Sequence, residues 1–293
     1  MDTNATKPGR RRWGRWKRMG VIALLTVAAV YAAWCVLLFC VQAKLLFPGA
    51  MLRREIGMTT PNGVVVLWHE FEPGKKTEAW FIPAPGASAE HPAPVVVYCH
   101  GNAELIDYQE EAASRLSAMG WSVLLPEYRG YGRGVGSPSQ AAIREDCSAL
   151  LDQVLARPDV DRNHVVFYGR SLGGGVAADL VTTHRPAGLI LISTFMSVRA
   201  MAKGYWAPGI LVTNPYQTDN VVAAYDGPSL ICHGDVDSIV PVENGRSLAK
   251  LAQHGKYVEF HCDHNDFPGN QMSQVERFWS EVRMFLDSVK DGK

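Results

Sequence analysis

The stretch of this sequence best equipped for chemistry is a serine set between glycines, Gly169-Arg170-Ser171-Leu172-Gly173, directly after the apolar run Val165-Val166-Phe167-Tyr168. A serine hydroxyl becomes a useful nucleophile when a base takes its proton and an acid orients that base. Two later stretches carry those residue types. Leu230-Ile231-Cys232 leads into His233-Gly234-Asp235-Val236-Asp237, and Tyr257-Val258-Glu259-Phe260 leads into His261-Cys262-Asp263-His264-Asn265-Asp266. Asp235 directly follows His233-Gly234 and reads as a brace for its loop, whereas Asp237 lies one step further along and is the expected acid. His264 lies within its loop, in reach of both Ser171 and Asp237, and is the expected base. His261 belongs to the strand end, and His254 reads as exposed on a helix.

Acyl transfer by such a serine also needs N–H donors where negative charge develops on the substrate oxygen. The N–H of Leu172, at the start of a helix, is one. The run Val95-Val96-Val97-Tyr98-Cys99 enters His100-Gly101-Asn102-Ala103, where Gly101 lets the backbone approach closely and the Asn102 N–H supplies the second. His100 reads as a brace for this loop. The chemistry requires no metal and no organic cofactor, and the six cysteines show no zinc-type spacing. They read as small buried hydrophobes, with a Cys232–Cys262 bridge open only if their strands are neighbours.

These residues must be presented by fixed elements. The run before the serine reads as a buried strand over 164–168, followed by a sharp turn at Ser171 and a helix from Leu172 to about His184. Gly169 and Gly173 are expected because side chains there would crowd a strained turn. Further strands are expected at 94–99, 121–125, 188–192, 229–232 and 257–260, and helices at 106–119, 140–156, about 246–253 and 271–289. Runs at 63–71 and 77–82, separated by Pro73-Gly74, read as a hairpin. Ser139 reads as a helix N-cap, and Tyr128 to Ser139, with its glycines and Arg129, as a tight supporting loop. Strands alternating with helices imply a mostly parallel sheet covered on both faces, with function at the carboxyl ends of its strands.

The 293 residues carry 29 basic and 29 acidic side chains, a balance that argues against a nucleic-acid-binding chain. The basic cluster Lys7, Arg10, Arg11, Arg12, Arg15, Lys17 and Arg18 precedes an uncharged run from Gly20 to Ala43, which as a helix is ~36 Å long and sufficient to cross a bilayer. A cleaved signal peptide would have a shorter apolar region. The expected layout is a basic cytoplasmic segment at 1–18, a transmembrane anchor at 19–43, a tether at 44–60 and a catalytic domain at 61–290. The position of the basic residues puts the N-terminus in the cytoplasm and the domain outside it, with a bacterial inner membrane facing the periplasm as the expected setting.

His100-Gly101-Asn102-Ala103, Tyr128-Arg129-Gly130-Tyr131-Gly132 with Gly136-Ser137-Pro138-Ser139, the serine turn, His233-Gly234-Asp235-Val236-Asp237 with Val240-Pro241, and His264-Asn265-Asp266 occur in this order. Together they resemble the membrane-anchored α/β-hydrolase family that contains eukaryotic protein depalmitoylases and many bacterial members. The resemblance covers the tether to the C-terminus. It implies an α/β-hydrolase fold with a short cap insertion, Ser171 as nucleophile, Asp237 as acid and His264 as base. Glu127 departs from the aspartate that commonly precedes Tyr-Arg-Gly-Tyr-Gly. The stretch after Thr194, which shapes substrate choice in such enzymes, is not diagnostic. Within it Phe195, Met196, Met201, Tyr205, Trp206, Ile210 and Leu211 are open to three readings: an acyl pocket, a membrane-facing patch or a packed helix. The expected activity is hydrolysis of a carboxylic ester or thioester. Peptide-bond hydrolysis and a non-catalytic, membrane-tethered binding module are the alternatives.

Overall fold

The computed structural model describes residues 10–52 and 60–292. Lys7 of the basic cluster and Arg53-Arg54 of the expected tether lie outside the described residues. Helix α1 (Arg10–Leu46) is followed by a 3-10 turn at Pro48–Met51, and the hairpin is β1 (Val65–Glu72) and β2 (Lys75–Ile82). The alternating part runs β3 (Ala93–Cys99), α2 (Glu110–Ala118), β4 (Ser122–Pro126), α3 (Gln140–Leu155), β5 (Val160–Arg170), α4 (Leu172–Leu180) and β6 (Gly188–Ile192). After it come α5 (Val198–Met201), α6 (Thr218–Ala224), β7 (Pro228–Gly234), α7 (Glu243–Leu251), β8 (His254–Phe260) and α8 (Met272–Lys290).

The eight strands form one sheet in the order β1-β2-β4-β3-β5-β6-β7-β8. The pairs β1/β2 and β2/β4 are antiparallel, and all pairs from β4/β3 to β7/β8 are parallel. Successive strand residues face opposite ways, so the core is split into two layers. Val95, Val97 and Cys99 of β3 pack with α3, α4 and residues of α6 and α7, while Val96 and Tyr98 face the layer holding α2 and α8. Helices on both faces explain why the central strands are apolar throughout.

Several element boundaries differ from those expected: α2 starts at Glu110, after a 3-10 turn over Ile106–Gln109, and α7 at Glu243, and three further differences have a local reason. Strand β5 starts at Val160, but its first residues meet β3 only through Ala93↔Val160, beyond a register shift, and Asp161-Arg162-Asn163 carry no apolar pattern. Helix α4 stops at Leu180 because the Thr182 and Thr183 hydroxyls donate back to the carbonyls of Asp179 and Leu180, offering the backbone a turn in place of further helix. His254 opens β8 rather than lying on a helix. It is exposed as expected, since β8 is an edge strand and needs little apolar patterning at its start.

Helix α1 is apolar and long enough to cross a membrane by length and composition, and its residues from Gly14 to Trp34 are exposed. The chain leaving it is packed onto the domain. Phe47 is buried, 6.5 Å edge-on from the ring of Tyr216, and the Gly49 N–H donates to the Asn102 carbonyl at 2.9 Å.

Candidate active site

Every expected site residue lies at the carboxyl end of its strand. Ser171 sits between β5 and α4 with φ 53° and ψ −119°, a conformation that costs an L-residue energy and persists only where surrounding structure imposes it. Here its N–H donates to the Ile192 carbonyl at 2.8 Å and its carbonyl accepts from the Thr194 hydroxyl at 2.8 Å. The flanking glycines are required by close backbone approach. A Cβ on Gly169 would lie 2.1 Å from the Gly173 carbonyl oxygen, and one on Gly173 would lie 2.0 Å from that of Cys99.

Ser171 Oγ and His264 Nε2 are 2.9 Å apart, and His264 Nδ1 lies 2.7 Å from Asp237 Oδ2. A carboxylate only accepts, so Nδ1 carries the proton and Nε2 is free to accept from the serine hydroxyl. The structure thus brings Ser171, His264 and Asp237 into one hydrogen-bonded chain. Asp237 Oδ1 accepts the N–H groups of Ile239 and Val240 at 3.0 and 2.7 Å. Burial by itself would raise the Asp237 carboxyl, but hydrogen bonds from His233, His264 and the Val240 N–H outweigh it and hold the group well below the usual carboxylate range. Asp235 faces exposed His261 at 3.0 Å and ties the two loops together away from Ser171.

The other side of Ser171 is formed by the loop after β3. Leu172 is the first residue of α4, so its N–H has no intrahelical acceptor. Asn102, Ser171 and Leu172 line the same cavity. The Asn102 carbonyl is held from behind by the Gly49 N–H and by the Tyr131 hydroxyl at 3.0 Å. His100 stacks on Tyr128 with ring centroids 4.1 Å apart, donates Nδ1–H to the Gly101 carbonyl and donates Nε2–H to Glu127, each at 2.9 Å. Its burial alone would lower its pKa, and the adjacent Glu127 charge reverses that and raises it. Glu127 also accepts the N–H groups of Ile106 and Tyr128.

Sequence reasoning missed several supporting residues. Glu104 accepts the Gly101 N–H at 2.9 Å and pairs with Arg170, whose guanidinium also donates to the His264 carbonyl at 2.7 Å. Asp263 accepts from the N–H groups of Ser238 and His264, both at 2.7 Å, joining the acid loop to the base loop. His233 Nε2–H donates to the Val240 carbonyl at 2.8 Å and lies 3.4 Å from Asp237. Arg170 stands inside the serine motif, so its position was visible, but nothing local reveals that its partners lie 66 and 94 residues away. Cys232 and Cys262 are buried and unbridged.

A cavity of about 320 Å³ opens at Ser171. Phe195, Met201, Tyr205, Leu211 and Val240 contribute to its wall, and no charged residue lines it among the described residues. The cap insertion is divided among the functions considered for it: Phe195, Met201, Tyr205 and Leu211 face the cavity, Met196 packs on the core, and Trp206 and Ile210 are exposed.

Residues 90–214 match the Hydrolase_4 family, described as serine aminopeptidase, S33. The chain is 30% identical over 279 residues to the uncharacterized protein Rv2307c of Mycobacterium tuberculosis, covering 91% of this chain and 97% of that one. It is 28% identical over 319 residues to the lysophosphatidylserine lipase ABHD12 of Gallus gallus, covering 89% of this chain and 82% of the lipase. Est1E of Butyrivibrio proteoclasticus, in a structure with ferulic acid bound, has the same fold, with TM-score 0.64 at 18% identity over 77% of this chain and 99% of that one. The esterase PF2001 of Pyrococcus furiosus gives TM-score 0.64 at 17% identity over 81% and 96%.

Proposed function

This chain belongs to the Hydrolase_4 family of α/β-hydrolases and is a serine hydrolase, and from that premise we propose that it cleaves carboxylic esters or thioesters of apolar acyl groups through Ser171, His264 and Asp237. The observation that carries the reading is the hydrogen-bonded chain from Asp237 to Ser171 ending in an apolar cavity. Ser171 Oγ attacks the acyl carbonyl while His264 Nε2 takes its proton. The N–H groups of Leu172 and Asn102 receive the oxyanion, and their geometry is fixed before substrate arrives, so no reorganisation is needed as charge develops. As the tetrahedral species collapses, His264 returns the proton to the departing alcohol or thiol. Water then attacks the acyl carbon while giving a proton to His264, and His264 passes that proton to Ser171 Oγ as the acyl–oxygen bond breaks and the acid leaves. Asp237 holds the Nδ1–H tautomer and stabilises the imidazolium in both halves.

The family description favours a second reading, peptide hydrolysis on the same triad. Release of an amino-terminal residue requires a group to receive the substrate ammonium, and the uncharged cavity wall offers no carboxylate for it. That wall therefore supports the ester reading. The intact hydrogen-bonded chain likewise speaks against a non-catalytic binding module.

Helix α1 is read as an uncleaved membrane anchor, supported by its exposed apolar surface and by its side chains that hold the cap insertion. The larger basic cluster before the span, against only Lys44, Arg53 and Arg54 closely after it, supports a cytoplasmic N-terminus and an extracytoplasmic catalytic domain. The full-length protein is expected to label with a fluorophosphonate and to hydrolyse p-nitrophenyl esters, and Ser171→Ala to do neither. Equal labelling of the two proteins overturns the assignment, and cleavage of aminoacyl arylamides without esters transfers it to peptides.

A further inference from the structure

The wall of the Ser171 cavity is not made by the hydrolase domain alone. Leu38, Phe39, Gln42, Leu45 and Leu46, all on α1, line it together with the cap insertion. The contact is built rather than casual. The Tyr31 hydroxyl donates to the Trp206 carbonyl at 3.1 Å and Trp34 Nε1 to that of Tyr205 at 3.0 Å, while Gln42 donates to the Leu211 carbonyl at 3.0 Å and accepts the Thr213 N–H at 2.9 Å. Three side chains of α1 thus strap down residues 205–213.

Depth along α1 tells what this strap lies in. At ~1.5 Å per residue, Trp34 is ~24 Å from Arg18, inside a hydrocarbon layer ~30 Å thick, and Gln42 is ~36 Å from it, outside that layer. The boundary falls near Leu38, where the catalytic cavity begins. Tyr205 and Trp206 hang back towards Trp34 and Tyr31, so the tip of the cap insertion lies at hydrocarbon depth. Its exposure matches: Trp206 is 81% and Ile210 88% exposed on the protein, unfavourable in water and favourable in acyl chains. A second apolar cleft lies between α1 and this tip, lined by Val27, Val30, Tyr31, Trp34 and Trp206. Tyr205 is a wall residue of both clefts, which places them side by side along α1.

We propose that the acyl chain of a lipid in the leaflet on the hydrolase side reaches Ser171 laterally through the cleft between α1 and the cap tip, with the transmembrane helix as one wall of the acyl site. This rests on the assignment of Ser171 as nucleophile and of α1 as a membrane span. The apolar chain stays among apolar side chains from the bilayer to the serine, and only the ester head needs to approach the boundary, where Asn102 and Leu172 wait for the carbonyl oxygen. The cavity's size and lack of charge suit a single chain with its polar head left at the rim.

The full-length protein in phosphatidylcholine nanodiscs, labelled with a long-chain alkyl fluorophosphonate bearing a diazirine at the chain end and irradiated, is expected to carry the cross-link on the peptide covering residues 27–46. Cross-links confined to residues outside 27–46 and 204–206, the two walls of the cleft, overturn the proposal. If the probe fails to label Ser171 at all, the catalytic assignment falls and this one with it. In the same nanodiscs, Leu38→Trp is expected to lower the ratio of dodecanoyl to butyryl ester turnover about tenfold, the worth of roughly two buried methylenes. Leu37→Trp, one position along the helix and outside the cavity wall, is expected to keep the wild-type ratio. An unchanged ratio in Leu38→Trp, with Ser171-dependent hydrolysis intact, removes α1 from the acyl site while leaving the hydrolase reading in place.

Discussion

Asp237 shows how a carboxylate can be enclosed and remain charged. It accepts from two backbone N–H groups and the His264 imidazole, with the His233 imidazole 3.4 Å away, and these offset the loss of water. Because its folded pKa is depressed, the group contributes stability that is present above the unfolded carboxyl pKa of ~3.9 and is lost as pH falls through the folded value. Asp237→Asn should therefore melt below the wild type at pH 7, with the gap closing as the buffer is taken below about pH 4. Its kcat should fall by about 10⁴, since an amide in this place no longer enforces the His264 tautomer. Thermal melts across pH and steady-state kinetics with a short ester test both effects. A melting gap constant down to pH 3 would show that the carboxylate does not contribute in this way.

The loop after β3 is positioned by elements far from it in the chain. Glu104 and Arg170 fix its front against the serine and histidine loops, Glu127 and His100 fix its base, and the turn after α1 fixes its back. At Gly49 a Cβ would lie 2.0 Å from the Tyr131 ring and 2.8 Å from the Asn102 carbonyl oxygen, the two groups that form this back support. Gly49→Ala should push them aside and displace the Asn102 N–H. In its proposed role as a donor used only when charge develops, that N–H affects kcat rather than KM, so kcat should drop by up to about 10² with KM nearly unchanged. Steady-state kinetics on the full-length protein provide the check; a rise in KM at constant kcat would place the effect on substrate binding instead. Legibility followed the same division. Strands buried on both faces were clear as apolar runs, whereas the start of β5 and of β8, paired at a margin or an edge, carried no pattern to read.

Across the whole molecule, helix α1 and the domain are packed together rather than joined by a free string. Phe47 lies in the same core layer as Tyr128, Tyr131 and Tyr216, and α1 completes the cavity. A truncated chain beginning at Arg53 loses Phe47, a change comparable with deleting a core aromatic side chain, at about 3–5 kcal/mol. It should melt well below the full-length protein in detergent. A chain beginning at Arg53 with an undiminished melting temperature would return the segment after α1 to the role of a free tether.

The sequence by itself determined the α/β architecture and offered Ser171, Asp237, His264, Leu172 and Asn102 as one set, because each stands where an apolar strand gives way to a loop and strand patterning is a local property. It also marked the long apolar helix. Only the tertiary structure decided which groups hold that set in place, since Glu104, Arg170, Asp263 and His233 act through partners distant in the chain and leave no periodic trace. The same holds for the cap insertion: residues 195–213 have no regular pattern, and their division between cavity and exposed tip is fixed by α1, more than 150 residues earlier. Hydrogen bonds and packing across such separations are properties of the folded chain, and they turn an apparent tether into part of the site.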